Sequence, residues 1–206
     1  MDCIRSIAAN SPAAAARLAG DGKTMDMVLD VLKHNMRNTD IATAAFGAIA
    51  SLSAHADTAA IVAETQAPRL VTEWIDDMDE APAQSIQLAL QAYSNMLQSA
   101  SLREKTVNDP AQMELIKHVI TTHCIDAEEA NPEILQGSVQ VVSRLAADAS
   151  SVAKLNETGV LRKVVRGVSS HNAYVRDADA MSQTLGLIEK CAKADAETGR
   201  SLADQG

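Results

Sequence analysis

The sequence predicts an all-α chain built from stacked helical repeats, and three observations carry that expectation. Residues 84–100 place Ile86, Ala89, Leu90, Tyr93 and Leu97 on one apolar face and Leu88, Ala92 and Met96 on a second. Gln84, Gln87, Gln91, Asn95 and Gln98 remain as one narrow polar stripe. A surface helix of an ordinary bundle has a single broad apolar face, so a helix apolar on two sides sits between neighbours. Second, helices of the same pattern recur along the chain. Third, hydrophobic residues are 47% of the 206 but aromatics only 2%, so the core is Ala, Leu, Ile, Val and Met, side chains that suit close helix packing. Nine Gly and five Pro are too few for a disordered or all-β chain, and no alternating run with a hairpin signal appears.

The recurrence takes two forms. Segments 41–53, 134–147 and 178–192 match 84–100, with Ile41, Ala45, Ile49 and Leu52 on the faces of the first. Ile134, Leu135, Val139, Val142 and Leu145 fill those of the second, and Met181, Leu185, Ile188 and Ala192 those of the third. In register, Leu52, Met96, Leu145 and Cys191 correspond, at steps of 44, 49 and 46 residues. Ile7 lies 45 before Leu52, so 2–9 reads as the remnant of one more copy. A second kind of helix opens at or near a breaker at 22, 65, 110 and 159, steps of 43, 45 and 49. Each holds an apolar pair plus one: Met27, Val28 and Val31; Leu70, Val71 and Trp74; Leu115, Ile116 and Val119; Val164, Val165 and Val168. Short pieces at 58–64, 102–107 and 151–156 precede three of them. Self-similarity at about 45 residues is the signature of a helical repeat array.

The connections agree. Pro68, Pro82, Pro110 and Pro132 fall at expected helix starts, where a missing N–H costs nothing. The runs 38–40, 79–82 and 129–132 carry turn and cap residues. The expected units are 1–38, 39–81, 82–127, 128–177 and a partial 178–192, together one domain over 1–192. Apolar periodicity stops after Ala192, so 193–206 is expected to be a frayed or disordered tail.

The net charge of −9 lies in the middle of the chain: residues 61–140 hold four basic and thirteen acidic side chains. That balance disfavours nucleic acid, whose binding rests on phosphate neutralisation. Cys3, Cys124 and Cys191 are far apart and show no metal-ligand spacing, as expected of reduced thiols in an intracellular protein. The first residues do not read as a signal peptide, and no apolar run has the length of a membrane span. A cytoplasmic protein is expected.

Certain residues carry a family likeness. Gly159-Val160-Leu161 with Val164, Val165 and Val168 matches a pattern of Gly, then Ala-Ile-Pro, then Leu-Val and a final Leu. Thr65-Gln66-Ala67-Pro68 with Leu70, Val71 and Trp74 follows it with Thr for Gly. Ala92-Tyr93-Ser94-Asn95-Met96 is close to Ala-x-x-Ala-Leu-x-Asn-Leu, and Ala48–Leu52 and Val141–Leu145 keep its apolar frame. In these residues, over about 22–192, the chain resembles the armadillo repeats, which share their apolar spacing with the HEAT repeats. Insertions near 100–110 and 123–132 stretch the later steps beyond the family's usual length of about 42. The resemblance implies a right-handed superhelical α-solenoid of about four repeats. Its concave groove, lined by the inner helices, would hold an extended peptide or a partner's helix, and the fold has no intrinsic catalysis. Members that carry nuclear-localisation peptides grip them with a Trp and, four residues later, an Asn. The Asn positions here are Ser51, Asn95, Arg144 and Lys190, and the Trp positions Gly47, Gln91, Gln140 and Gly186. Only Asn95 matches, so that activity is not carried over.

The candidate groove is the polar stripe of the recurring helix. It comprises Thr43, Gly47 and Ser51; Gln87, Gln91 and Asn95; Gln136, Gln140 and Arg144; and Gln183, Gly186 and Lys190. Gln and Asn can bond both polar groups of a peptide backbone, and Arg144 can hold a carboxylate through two bonds. The bland alternative is the solvated edge of packed helices. A second candidate is a basic patch, Arg162, Lys163, Arg166 and Arg176, read either as ordinary favourable charge at a helix C-terminus or as a site for an acidic partner, including the acidic stretch 76–80 of another copy.

No catalytic, cofactor or metal site is expected. Trp74 is at a core position. His123-Cys124 is isolated, and Asp76, Asp77 and Asp79 lack the full calcium-loop spacing. His34, His55, His118 and His171 have no readable nucleophile or acid partner, and no phosphate loop is present. The leading expectation is a protein-binding scaffold, possible homes being a cytoskeletal, ciliary or trafficking complex. The rivals are a structural segment of a longer solenoid that associates through its ends, and an unrelated helical enzyme.

Overall fold

The computed structural model describes residues 1–77, 80–129 and 131–203. Among the described residues every regular element is helical, fifteen α-helices and one π turn. Where the sequence leads to one domain over 1–192, the chain divides into two compact units, Met1–Leu102 and Arg103–Gly206.

The first unit holds α1 (Asp2–Asn10), α2 (Pro12–Gly20), α3 (Lys23–His34), α4 (Thr39–Leu52), α5 (Ala56–Ala63), α6 (Ala67–Asp77) and α7 (Ala83–Met96). α4 packs between α1 and α7. Its Ala42, Ala45, Phe46, Ala48, Ile49 and Leu52 are all fully buried, the two-sided burial expected of this helix type. α3 packs on α4 and α6, and α2 on α5. Caps set the boundaries: Ser11 accepts from Ala14 N–H ahead of Pro12, and Asn38 from Ile41 N–H. α3 opens after Gly22 at φ 68°, a conformation open to glycine at little cost. The fully buried Trp74 of α6 meets the Phe46 ring edge-on with centroids 4.8 Å apart and donates its indole N–H to Met36 O at 2.9 Å. A buried indole N–H needs such a partner.

The unit boundary falls within α8 (Ala100–Asn108). The second unit continues with α9 (Pro110–Ile120), the π turn Thr121–Ile125, α10 (Pro132–Leu145), α11 (Ala149–Glu157), α12 (Val160–Ser170), α13 (Asn172–Arg176), α14 (Ala178–Ala194) and α15 (Ala196–Ala203). α14 packs between α10 and α15, and α12 lies against α9, α10, α11 and the π turn. Gly159, at φ 80°, begins α12 as Gly22 begins α3. Gly167 brings α12 close to its neighbours: a Cβ there would be 3.4 Å from Ile120 and Leu135. The π turn takes up part of the insertion expected near 123–132. Ser170 donates to Cys124 O at 2.8 Å, and Tyr174 Oη accepts from Asn131 N–H at 2.9 Å.

Several sequence positions shift. Leu52, Met96, Leu145 and Cys191 are all fully buried. In α1, however, Ile7 is 52% exposed and Ala8 is the buried residue. In α3, Met27 is 51% exposed, and the buried set is Met25, Val28, Leu29 and Leu32. In α14 the inner face is Ala180, Thr184, Leu187 and Cys191, with Leu185 58% exposed. The tail expected to fray is helical over Ala196–Ala203, with Asp195 accepting from Thr198 and Glu197 N–H and with Leu202 buried. A Cβ on Gly199 would lie 2.3 Å from Ala192 Cβ, so glycine permits α15 to press directly onto α14. Met78, Asp79, Ala130 and 204–206 are outside the described residues, and with them Asp79 of the acidic stretch.

Candidate functional site

The polar stripe of each unit is partly used up in joining helices. In the first unit, Asn95 of α7 donates from Nδ2 to Ala50 O at 2.9 Å, and Gln98 reaches Ser53 O at 3.3 Å. Ala50 is in the last turn of α4, where carbonyls have no partner within the helix. Thr43 and Ser85 share a hydroxyl hydrogen bond of 2.6 Å. Ser51 donates back to Gly47 O, and Arg5 lies over Gly47, its Cδ 3.1 Å from where a Cβ would be. Gln87, half-buried, and Gln91, exposed, make no hydrogen bond among the described residues.

The second unit repeats this arrangement. Lys190 of α14 donates from Nζ to Ser143 O at 2.6 Å, in the last turn of α10. A cation at that end also meets the negative pole of the helix. Burial lowers the Lys190 ammonium below the usual lysine range, and the charges of Arg144 and Arg103 lower it further, with nearby Cys191 opposing. Gln136 donates to Asp177 Oδ1 at 3.2 Å while Asp177 caps α14 through Ala180 N–H. Gln183 is half-buried, and its Oε1 is a buried acceptor with no partner. Gln140 and Arg144 are exposed and have no bonded partner among the described residues. Ser51, Asn95, Gln136 and Lys190 are therefore engaged within the chain, while Gln87, Gln91, Gln140 and Arg144 remain available. Arg103, like Arg144, acts on Lys190 as a like charge, and nothing in the sequence of its short helix signals that proximity.

The basic patch has an altered local setting. Arg162 and Lys163 are in the first turn of α12, with Arg166 one turn on, and no acid accompanies them there. The reading as favourable charge at a C-terminus fits Arg176, in the last turn of α13, but not Arg162 and Lys163, because cations in a first turn face the positive pole. Arg162, Arg166 and Arg176 are exposed and Lys163 half-buried.

Groups capable of catalysis are scattered. Burial pushes the Cys124 thiol up to about 12 and the Cys191 thiol up to about 11, so neither is a ready nucleophile. His34 Nδ1 is 2.7 Å from Asp30 O, and His171 meets the Tyr174 ring edge-on with Nε2 buried and unpartnered. Among the described residues no three His, Cys, Asp or Glu side chains gather as a metal site, and no helix is long and apolar enough to cross a membrane. An open cleft of about 670 Å³ beside α1 and α2 is lined by Ile7, Arg17, Leu18 and Asp21, with no nucleophile or paired acid among them.

No family model matches the chain, and no curated protein is significantly similar to it.

Proposed function

We propose that the protein is a non-catalytic protein–protein interaction scaffold of armadillo type. In this reading the helices form a right-handed α-solenoid of about four repeats, and a partner's extended peptide or helix binds along the inner-helix stripe. The observation that carries it is the long-range hydrogen bonding between corresponding helices. Thr43 with Ser85, Asn95 with Ala50, Gln136 with Asp177 and Lys190 with Ser143 are 41 to 47 residues apart, the step at which the sequence repeats. Neighbour-to-neighbour contacts of this kind stabilise a repeat array and leave the exposed stripe for binding. Gln91 in the first unit and Gln140 and Arg144 in the second supply backbone-pairing amides and a carboxylate partner. Reduced thiols suit a cytoplasmic scaffold, with cytoskeletal and ciliary assemblies as candidate settings. No nucleic acid, cofactor or metal is part of the proposal.

The second reading is a structural segment that associates through its ends. Ile7, 52% exposed on α1 beside the open cleft, favours it. Affinity capture from a cell lysate separates the two. Wild type is compared with Gln87→Ala/Gln91→Ala, with Gln140→Ala/Arg144→Ala, and with Ile7→Lys. Partners lost with the stripe variants support the groove, and partners lost only with Ile7→Lys support end association.

A further inference from the structure

Two helices of this chain carry end charges that oppose their own dipoles, and the two sets are complementary. α12 starts with Arg162 and Lys163 in its first turn, followed by Arg166, and no acid balances them there. Arg162 and Arg166 are exposed, and neither has an ion-pair partner among the described residues. The nearest acid in sequence, Glu157, is exposed in the last turn of α11 and makes no ion pair with them. α6 has the opposite fault. Asp76 and Asp77 stand in its last described turn, Glu80 follows, and no base is in that turn. The only cation in α6, Arg69, is paired with Glu73 at 2.5 Å. Asp76, Asp77 and Glu80 are exposed. Carboxylates at a helix C-terminus and cations at a helix N-terminus are each unfavourable in isolation.

We propose that the basic first turn of α12 receives the acidic last turn of α6 from a second copy of this chain. In that contact the exposed Arg162 and Arg166 on the side of α12 face the exposed Asp76 and Asp77 of the other copy. Each helix then gains the counter-charge it lacks. A second copy is the occupant because the chain itself holds the matching acidic helix end. Every copy presents both surfaces, so the contact either closes reciprocally into a dimer or propagates head to tail. Exposed ion pairs are individually weak and are screened by salt, so the association is salt-sensitive. This inference is independent of the peptide-binding stripe.

Sedimentation velocity of the full chain tests it, using wild type, Arg162→Glu/Arg166→Glu, Asp76→Arg/Asp77→Arg, and an equimolar mixture of the two variants. All four positions are exposed, and circular dichroism checks that each variant is folded. Wild type is expected to self-associate in about 50 mM salt and to weaken at least tenfold by about 500 mM, over which the screening length falls roughly threefold. Each variant alone is expected to be monomeric, and the mixture to associate, because basic α6 ends then meet acidic α12 starts. A monomeric wild type at low salt overturns the proposal, as does association that survives either reversal or a mixture that stays monomeric. Binding of the patch to an acidic partner other than a second copy would appear as the first of these results.

Discussion

Replacing Asn95 separates a side chain that joins helices from one that waits for a ligand. Its Nδ2 donates to Ala50 O at 2.9 Å, and Asn95 itself is half-buried. Asn95→Ala removes one hydrogen bond, a net loss of about 1 kcal/mol. Asn95→Asp is nearly the same shape but places a carboxylate against a carbonyl oxygen at the negative end of α4. The dipole adds up to about 2 kcal/mol in a partly buried site, so at pH 7 the Asp variant should lose about 2–3 kcal/mol in all. The sign with pH follows from the same contact. The introduced carboxyl has its folded pKa raised above the unfolded value, near 3.9, because its neutral form can donate to Ala50 O and its charged form cannot. The extra deficit is therefore full above the raised pKa and shrinks as pH falls toward about 4. Urea unfolding followed by circular dichroism at several pH values reads both effects. An Asp variant no less stable than the Ala variant at pH 7, or a gap between them that does not change with pH, would refute the helix-joining role.

Three further outcomes follow from particular contacts. Gly199→Ala should detach α15, since the new Cβ would be 2.3 Å from Ala192 Cβ and 2.5 Å from its Cα; overpacking of this kind costs about 1–3 kcal/mol, and hydrogen exchange should rise in 196–203 while α10 stays protected. In native protein at pH 8 the exposed Cys3 should react readily with a thiol reagent. Cys124, with its thiol near 12, has a thiolate fraction of about one in ten thousand; fast labelling of Cys124 in intact protein would contradict its placement. Arg162→Glu should stabilise the dilute, monomeric chain by about 0.3–1 kcal/mol, because an acid replaces a cation in the first turn of α12; a lower urea midpoint would show that Arg162 has a favourable partner.

The helical class and the recurring core were readable because large apolar side chains repeat at helical spacing. Leu70, Val71 and Trp74 are buried as that spacing predicts, and so are Val164, Val165 and Val168. The errors have two physical sources. In α3, apolar residues crowd positions 25, 27, 28, 29, 31 and 32, so two faces compete and the pattern alone does not choose Leu29 over Met27. In α14 and α15, close packing rewards small residues: Ala180, Thr184 and Cys191 go inside while Leu185 stays out, and Gly199 meets Ala192 almost backbone to backbone. A hydropathy pattern gives little weight to such residues. The stripe was legible as a set of polar residues, but its division was not. Whether Asn95 faces a ligand or Ala50 depends on a contact across 45 residues, and the first-turn setting of Arg162 and Lys163 depends on where α12 begins.

The measurement that tests the central claim most directly is selection of a random peptide library on the full chain. Selected peptides are then titrated against wild type, Gln87→Ala/Gln91→Ala and Gln140→Ala/Arg144→Glu. The scaffold reading predicts peptides that bind the wild type and lose at least about tenfold in affinity, near 1.4 kcal/mol, on one of the two stripe variants while both variants keep the wild-type helical content. Peptides that bind all three proteins equally, or a library from which none is enriched, would contradict it.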